Sequence, residues 1–271
     1  MDDTSIFLRK NVRAKIANLY IFCYSIVNQI MLSSVKTLLD QSWEIYKKRF
    51  GVFLGIIFLP IIVFLLLGIF LILMTILLDL DGLTVLVLFA SPLGLGIMLI
   101  LTFVSFVGGL WSQTSLLCAI KDREENIGIK ESYRRGWSKI ISYFWISFLS
   151  GIIISGGLFL FFVPGLIFFI WFGLASFVFI SENKKGWSAL MASKEYVRGN
   201  WLAVFWRFLC LGVIAWLFLL LPTIIASFAA VPSILKIYFS IGYILIAPMA
   251  AIYSYLIYES LKKIHPSNSG V

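Results

Sequence analysis

The chain has 271 residues, of which 61% are hydrophobic and only 13% carry a formal charge. Soluble globular domains contain about a quarter charged residues, so this composition excludes an ordinary soluble fold and indicates a bilayer protein. The formal net charge is +9. The basic residues are spread over several loops rather than gathered in one domain, which disfavours nucleic acid and favours anionic lipid headgroups as partners.

Few residues of the chain suit catalysis or metal binding. The three cysteines, at 23, 118 and 210, are far apart, and His265 is the only histidine. This pattern predicts neither a disulfide framework nor a zinc site. A phosphate-binding glycine loop and paired aspartates for metal-dependent phosphate transfer are both missing from the sequence. We therefore predict that the protein is not an enzyme and has no cofactor or metal.

Residues 1–33 form an N-terminal extension outside the predicted membrane domain. Its apolar stretch "IANLYIFCYSIVNQIML" is short and includes Asn18, Asn28 and Gln29, so it predicts an interfacial helix rather than a further span. Met31 directly precedes the first repeated segment described below. An alternative hypothesis is that translation starts at Met31 and that residues 1–30 are not part of the native protein.

Long uncharged blocks predict six transmembrane helices. The three longest blocks each exceed the about 20 apolar residues that a spanning helix needs, and blocks of this kind exclude the short alternating strands of a β-barrel. The fold class is thus an all-α integral membrane domain over residues 34–262, followed by a flexible tail over 263–271. The predicted spans are Phe50–Leu78, Pro92–Ala119, 140–162, 165–181, Trp201–Phe228 and Ser233–Ser260.

Prolines set several of these boundaries. Pro60 predicts a kink in the first span that neighbouring helices must accommodate. Ser91-Pro92 predicts the start of the second span, because a residue before proline avoids the helical region, and leaves Thr84–Ala90 as a short segment outside it. Pro164-Gly165 predicts a tight turn between the third and fourth spans.

The distribution of basic residues predicts the topology. Of the 22 lysines and arginines, 20 lie in the N-terminal region, the 121–139 and 184–198 loops, or Lys262-Lys263. Six spans place all of these on one side, and the positive-inside rule makes that side cytoplasmic. Both termini are therefore predicted to be cytoplasmic.

Three segments of the chain resemble one another. They are "LLDQSWEIYKKRF" (38–50), "SYRRGWSKIISYF" (132–144) and "ALMASKEYVRGNW" (189–201), which align on Ser42, Gly136 and Ser193. Each leads into an odd-numbered span, and the first carries apolar residues at helical spacing on one face. The pattern predicts three repeats, each an amphipathic interfacial helix followed by a helical hairpin.

Tryptophans are predicted to anchor these helices at headgroup level, with basic residues facing anionic lipid. The predicted anchors are Trp43, Trp137, Trp187 and Trp201. Two interpretations remain open. The helices are inactive connectors, or they form a collar that recognises lipid headgroups or a soluble partner protein.

Two charged residues are predicted at or within spans. Arg207 lies six residues into the fifth span, about 9 Å deep at helical rise, and Glu259 lies at the cytoplasmic end of the sixth. Charged residues in the membrane are functional candidates. Arg207 either reaches headgroups, pairs with Glu259 or binds a substrate.

Small and polar residues recur at four-residue steps in the second span. Ser105, Gly109 and Gln113 predict a face for close helix packing, with a polar path as the alternative.

The stretch 162–205 resembles the membrane-domain family named after glycerophosphoryl diester phosphodiesterase, a group that includes bacterial proteins of unknown function. The similarity consists of Pro164-Gly165, Glu182, Gly186-Trp187, the small residues Ala189, Ala192 and Ser193, and Gly199-Asn200-Trp201. The resemblance implies a polytopic protein of the bacterial cytoplasmic membrane. The phosphodiesterase domain that gives the family its name is missing from this sequence, so no catalytic residue is carried over.

Two functions are compatible with these features. The first is a non-catalytic membrane protein that organises lipid or assists another membrane component, alone or as a homo-oligomer. The second is a transporter or permease for a lipid or small amphiphile, which would gain support if Pro92, Gly94 and Gly96 unwind the second span around a cavity.

Overall fold

A computed structural model describes residues 33–77, 84, 87, 90–228 and 233–264 of the chain. The predicted N-terminal interfacial helix, the alternative start at Met31 and the tail from His265 lie outside these residues. Apart from one short 3-10 turn at Arg123–Glu125, the regular structure described is α-helical. The helices are α1 (Val35–Lys48), α2 (Phe50–Leu77), α3 (Pro92–Lys121), α4 (Ile129–Trp137), α5 (Ile140–Leu160), α6 (Phe162–Phe172), α7 (Ala175–Glu182), α8 (Trp187–Val197), α9 (Trp201–Phe228) and α10 (Ser233–Ile264).

Local capping explains where α3 begins. The Ser91 side chain accepts a hydrogen bond from the Gly94 backbone N–H at 3.1 Å, and Pro92 occupies the first helical position. Proline is favoured there because the N–H that it lacks would have no partner within the helix. The predicted start of this helix is therefore confirmed.

The break between α5 and α6 differs from the prediction. It falls at Phe161, whose backbone is extended (φ −159°, ψ 148°), and Pro164 and Gly165 lie inside the first turn of α6. Proline is tolerated in a first helical turn. Gly165 serves packing instead of turning, because a Cβ added to it would lie 2.7 Å from the backbone nitrogen of Leu158 in α5.

Several helices have the length and composition of membrane spans. Within the described residues, Pro92–Lys121, Ile140–Leu160 and the joined helices Phe162–Glu182 could each cross a bilayer. The pair Trp187–Val197 and Trp201–Leu217 passes the same test but bends by 99° between its two parts. The chain is thus an all-helical protein whose long apolar helices suit a membrane.

Consecutive helices pack in pairs, and short helices pack against these pairs. Helix α2 packs along α3, α5 along α6, and α9 along α10. Among the short helices, α4 packs on α3, α8 packs on α6 and α7, and α1 packs on α10. Because α1 contacts the last long helix, the arrangement closes on itself. We call the end of the long helices that adjoins α1, α4 and α8 the basic end.

The hydrophobic core is concentrated at the basic end. Buried residues run through Leu116–Ile120 of α3, Phe177–Ile180 of α7 and Ile252–Tyr253 of α10, and these three helices contact one another. Near the N-terminal end of α3, away from these buried residues, large apolar side chains such as Leu93 and Leu99 are exposed. Exposed apolar surface of this extent on long helices is suited to lipid rather than water.

Candidate functional site

The predicted tryptophan anchors all lie on or beside the short helices and are exposed. Trp43 is in α1, Trp137 ends α4, Trp187 begins α8, and Trp201 begins α9. Their relative exposures are 47%, 60%, 57% and 46%, respectively. A large aromatic side chain with a polar N–H is suited to a membrane surface, where one end is apolar and the other wet.

Exposed cations accompany each short helix. In the part of the chain that the structure describes, six exposed cationic side chains make no ion pair. One of them, Lys263, lies at the end of α10, and the other five lie on or beside the short helices. These are Lys36 and Lys47 on α1, Lys130 on α4, Lys185 before α8 and Arg198 after α8. Lys47 also lies 5.0 Å over the ring of Trp43. Each short helix therefore combines exposed indole with exposed positive charge.

The three aligned small residues are all buried where short helices meet long ones. A Cβ added to Gly136 would lie 2.9 Å from the backbone nitrogen of Ser115 in α3. Ser193 in α8 donates its hydroxyl to the carbonyl of Trp171 in α6 at 2.6 Å. Ser42 has no exposed surface and bonds to Leu38 within α1. Small side chains at these positions allow the close approach of two helices.

The angle of α8 is set by its C-terminal turn. Gly199 has φ +86°, a conformation that favours glycine. The turn lets α9 leave at 99° to α8. A nearly perpendicular angle is the one expected between an interfacial helix and a membrane span.

Arg49, at the joint between α1 and α2, binds the end of α3. Its buried guanidinium donates to the carbonyl of Ala119 at 2.8 Å and to that of Ile127, which precedes α4. The last carbonyls of a helix lack partners within it and attract cations. Burial lowers the pKa of Arg49, while the nearby Asp122 carboxylate opposes that shift. The amino-acid sequence does not reveal this contact, because the partners of Arg49 are backbone atoms.

Of the three alternatives for Arg207, the pairing with Glu259 is not found in the structure. Arg207 is only 8% exposed and donates to the carbonyl of Ser33 at 3.1 and 2.8 Å and to that of Ala203 at 2.8 Å. Glu259 accepts instead from Arg123, with 3.1 and 3.0 Å between the guanidinium and the two carboxylate oxygens. The loop after α3 reaches α10, and this proximity cannot be read from a linear order of spans.

Glu182 connects three helices at the basic end. This carboxylate ends α7 and accepts hydrogen bonds from Tyr196 of α8 and Tyr258 of α10, each at 2.7 Å. Lys184 lies 2.9 Å and Lys262 lies 3.6 Å from its oxygens. In the sequence, Glu182 is recognisable as an acidic residue at the end of an apolar block, but the sequence does not predict that Tyr196 and Tyr258 bind it.

Pro60 leaves one backbone acceptor of α2 without a helical partner, and α3 and α4 supply replacements. The carbonyl of Ile56 would normally accept from residue 60, but proline has no N–H. Tyr133 of α4 donates to this carbonyl at 2.6 Å and Ser112 of α3 donates at 3.0 Å. The Trp111 side chain binds the Tyr133 carbonyl at 2.8 Å. The neighbouring helices α3 and α4 therefore accommodate Pro60 by donating two hydroxyl hydrogen bonds to the Ile56 carbonyl.

The small-residue face predicted on α3 does not make the expected close contacts. A Cβ added to Gly109 would meet no atom within 4 Å, and Gln113 is exposed. The glycines that do permit close approach are others, including Gly136 and Gly157. Four-residue spacing alone does not identify which face of a helix is packed.

These polar contacts join neighbouring helices and loops. In the described ranges, no group of three or more histidine, cysteine, aspartate or glutamate side chains could hold a metal ion. Comparisons with protein-family models, curated proteins and solved structures gave no match. The resemblance to the phosphodiesterase-associated membrane-domain family therefore stays a prediction.

Proposed function

We propose that the chain is a non-catalytic membrane protein that organises lipid or assists another membrane component through α1, α4 and α8, which we call the collar. The observation that carries the proposal is the repeated association of exposed tryptophan and exposed cations with each collar helix. Indole rings favour the headgroup level, and each cation near an anionic surface contributes about 1 kcal/mol of attraction. The collar would thus hold anionic headgroups around the protein.

The proposal includes six spans arranged as three units, each made of one collar helix and the hairpin that follows it. The cyclic packing of each collar helix on the preceding hairpin supports this arrangement. Ser33 and Ile127 are equivalent in the repeat alignment, and each carbonyl accepts from an arginine of the unit on which its collar helix packs, Arg207 and Arg49 respectively. The two arginines are not at equivalent positions, so the likeness between these contacts is in the acceptors.

The proposed location is a bacterial cytoplasmic membrane, with the basic end and both termini in the cytoplasm. The excess of basic residues at one end of the long helices supports this orientation under the positive-inside rule. Membership of the family named after glycerophosphoryl diester phosphodiesterase is part of the same proposal and rests on residues 162–205.

A transporter or permease for a lipid or amphiphile is the second candidate. Two apolar cavities of about 290 and 330 Å³, which open at the surface of the bundle, favour it. The unwinding of the second span that would have supported it is not found, because Gly94 and Gly96 lie in a helix that continues from Pro92 to Lys121. Transporters commonly use broken helices at the substrate site. Lipid organisation is therefore the better supported function.

The test is to extract the protein with its surrounding bilayer and identify the retained lipids by mass spectrometry. The collar variant replaces Lys36, Lys47, Lys130, Lys185 and Arg198 with glutamine. We expect anionic lipid to be enriched around the wild type relative to the bulk membrane, and the enrichment to be lost in the variant. Equal composition for wild type, variant and bulk membrane would refute lipid organisation by the collar.

A further inference from the structure

An apolar cavity of about 330 Å³ lies between α2, α3 and the collar helix α4. Its lining includes Leu59 and Pro60 of α2, Phe103 and Gly108 of α3, and Tyr133 and Trp137 of α4. The volume is at the lower end of the range for small-molecule sites, about 300 to 1,000 Å³. It therefore suits one chain of a lipid rather than a whole lipid molecule.

The cavity opens toward the side of the bundle. Leu59 and Phe103 on its walls are 46% and 67% exposed, on helix surfaces suited to lipid. The recess exists because Gly108 has no side chain, and a Cβ added there would meet no atom within 4 Å. An empty recess deprives its walls of van der Waals partners, so a flexible apolar chain would stabilise it.

Aromatic residues close the cavity at the basic end. The rings of Trp111 and Trp137 meet edge to face with 4.9 Å between centroids. The Trp111 N–H is engaged by the Tyr133 carbonyl, and the Tyr133 hydroxyl is engaged by the Ile56 carbonyl. The Trp111 N–H and the Tyr133 hydroxyl are thus bound to backbone, which leaves the rings of these two residues to line the cavity.

Positive charge lies beside this floor. Lys130 and Arg134 precede Trp137 by seven and three residues in α4, so all three side chains share one side of the helix. Both cations are exposed. Arg134 contacts Glu131 at 2.9 Å, but such an exposed pair contributes little and leaves the guanidinium accessible to a phosphate.

We propose that this cavity binds one acyl chain of an anionic glycerophospholipid, with its phosphate against Lys130 and Arg134. The proposal rests on the collar function above and names one specific lipid site within it. An acyl chain fits the apolar walls, the aromatic floor limits its depth, and the cations select a negative headgroup. The second cavity, between α6 and α9, has an apolar lining that includes Gly212 and provides a comparison.

The experiment uses the full chain reconstituted with two photo-reactive lipids that carry the same diazirine-labelled acyl chain. One probe is phosphatidylglycerol and the other is zwitterionic phosphatidylcholine. We expect phosphatidylglycerol to label peptides covering 103–111 or 133–137 in preference to phosphatidylcholine. Replacing Lys130 and Arg134 with glutamine should reduce that preference about fivefold for each cation. Each cation contributes about 1 kcal/mol of attraction to an anionic headgroup, which corresponds to that factor.

Matched leucine substitutions test whether the cavity holds the chain. Gly108→Leu fills the recess and should abolish labelling of the cavity peptides. Gly109→Leu removes the neighbouring glycine, which also meets no atom within 4 Å but lies outside the lining, so labelling should persist. Gly212→Leu fills the second cavity and should leave the preference for phosphatidylglycerol unchanged.

Two outcomes would overturn the site. One is equal labelling of these peptides by both probes, which indicates ordinary surrounding lipid; the other is equal labelling of the Gly108→Leu and Gly109→Leu proteins. If Gly108→Leu fails to fold, wild-type labelling confined to other peptides still refutes the proposal. If the wild type shows anionic enrichment in the collar assay without cavity labelling, this site alone is refuted, whereas a wild type without anionic enrichment refutes the collar function.

Discussion

Replacing Tyr133 with phenylalanine tests how the protein accommodates Pro60. The substitution keeps the aromatic ring, which packs edge to face on Trp111 at 5.0 Å, and removes only the hydroxyl that donates to the Ile56 carbonyl. Burial raises the pKa of Tyr133, so the hydroxyl remains a protonated donor. The Ile56 carbonyl would then retain one donor, Ser112.

The expected cost follows from one lost hydrogen bond. A hydrogen bond of this kind contributes about 0.5 to 1.5 kcal/mol net. For a chain of this size, a loss of about 1 kcal/mol lowers the melting temperature by about 2–4 °C. In a Pro60→Ala background, residue 60 regains an N–H that can bind the same carbonyl, so Tyr133→Phe should cost little there. The double-mutant cycle should therefore show a coupling of about 1 kcal/mol.

The assay is thermal unfolding of the purified protein in one detergent, measured for wild type, both single variants and the double variant. Tyr46→Phe is the matched control, because among the described residues the buried Tyr46 hydroxyl has no hydrogen-bond partner. Its melting temperature should equal or exceed that of the wild type. An equal loss from Tyr133→Phe with proline and with alanine at position 60 would refute the proposed role of the hydroxyl.

The other predictions concern charged contacts at the basic end. Arg49→Met should lower the melting temperature by more than Tyr133→Phe does, because hydrogen bonds from charged groups contribute about 1.5–3 kcal/mol; an unchanged value in the same assay would contradict the role of Arg49 at the end of α3. Arg123→Met and Glu259→Gln should be non-additive in a double-mutant cycle, and additive effects would contradict their ion pair. Hydrogen bonds from Arg135 and Arg134 lower the folded-state pKa of Glu131 from its usual 4.5, so its stabilising effect is present above the unfolded value and lost as pH falls through the folded value. Glu131→Gln should consequently weaken the fall in melting temperature between neutral and acidic pH, and an identical pH profile would count against this contribution.

Local sequence features predicted the helices well. Uncharged blocks gave the long helices, Ser91-Pro92 marked the start of α3, and the repeated segments marked α1, α4 and α8. These features succeed because hydrophobic content and helix capping act between residues that are close along the chain. The break at Phe161 was missed because proline is compatible with both a turn and a first helical turn.

Contacts between helices could not be predicted from the sequence. Glu259 binds Arg123, a residue 136 positions away, and not the predicted Arg207. The packed glycines proved to include Gly136 rather than Gly109. Pairing and close approach depend on how whole helices are positioned, and many packings satisfy one hydrophobic pattern.

The sequence by itself thus determined an apolar, helical chain with short basic helices between longer ones. Only the tertiary structure decided that α1 packs on α10, that Tyr133 serves the backbone freed by Pro60, and that a cavity opens beside Gly108. The physical reason is range. The tendency of a segment to be buried and its backbone conformation depend on residues that are close along the chain. A hydrogen bond or a cavity between two helices exists only when distant helices meet at a particular distance and angle.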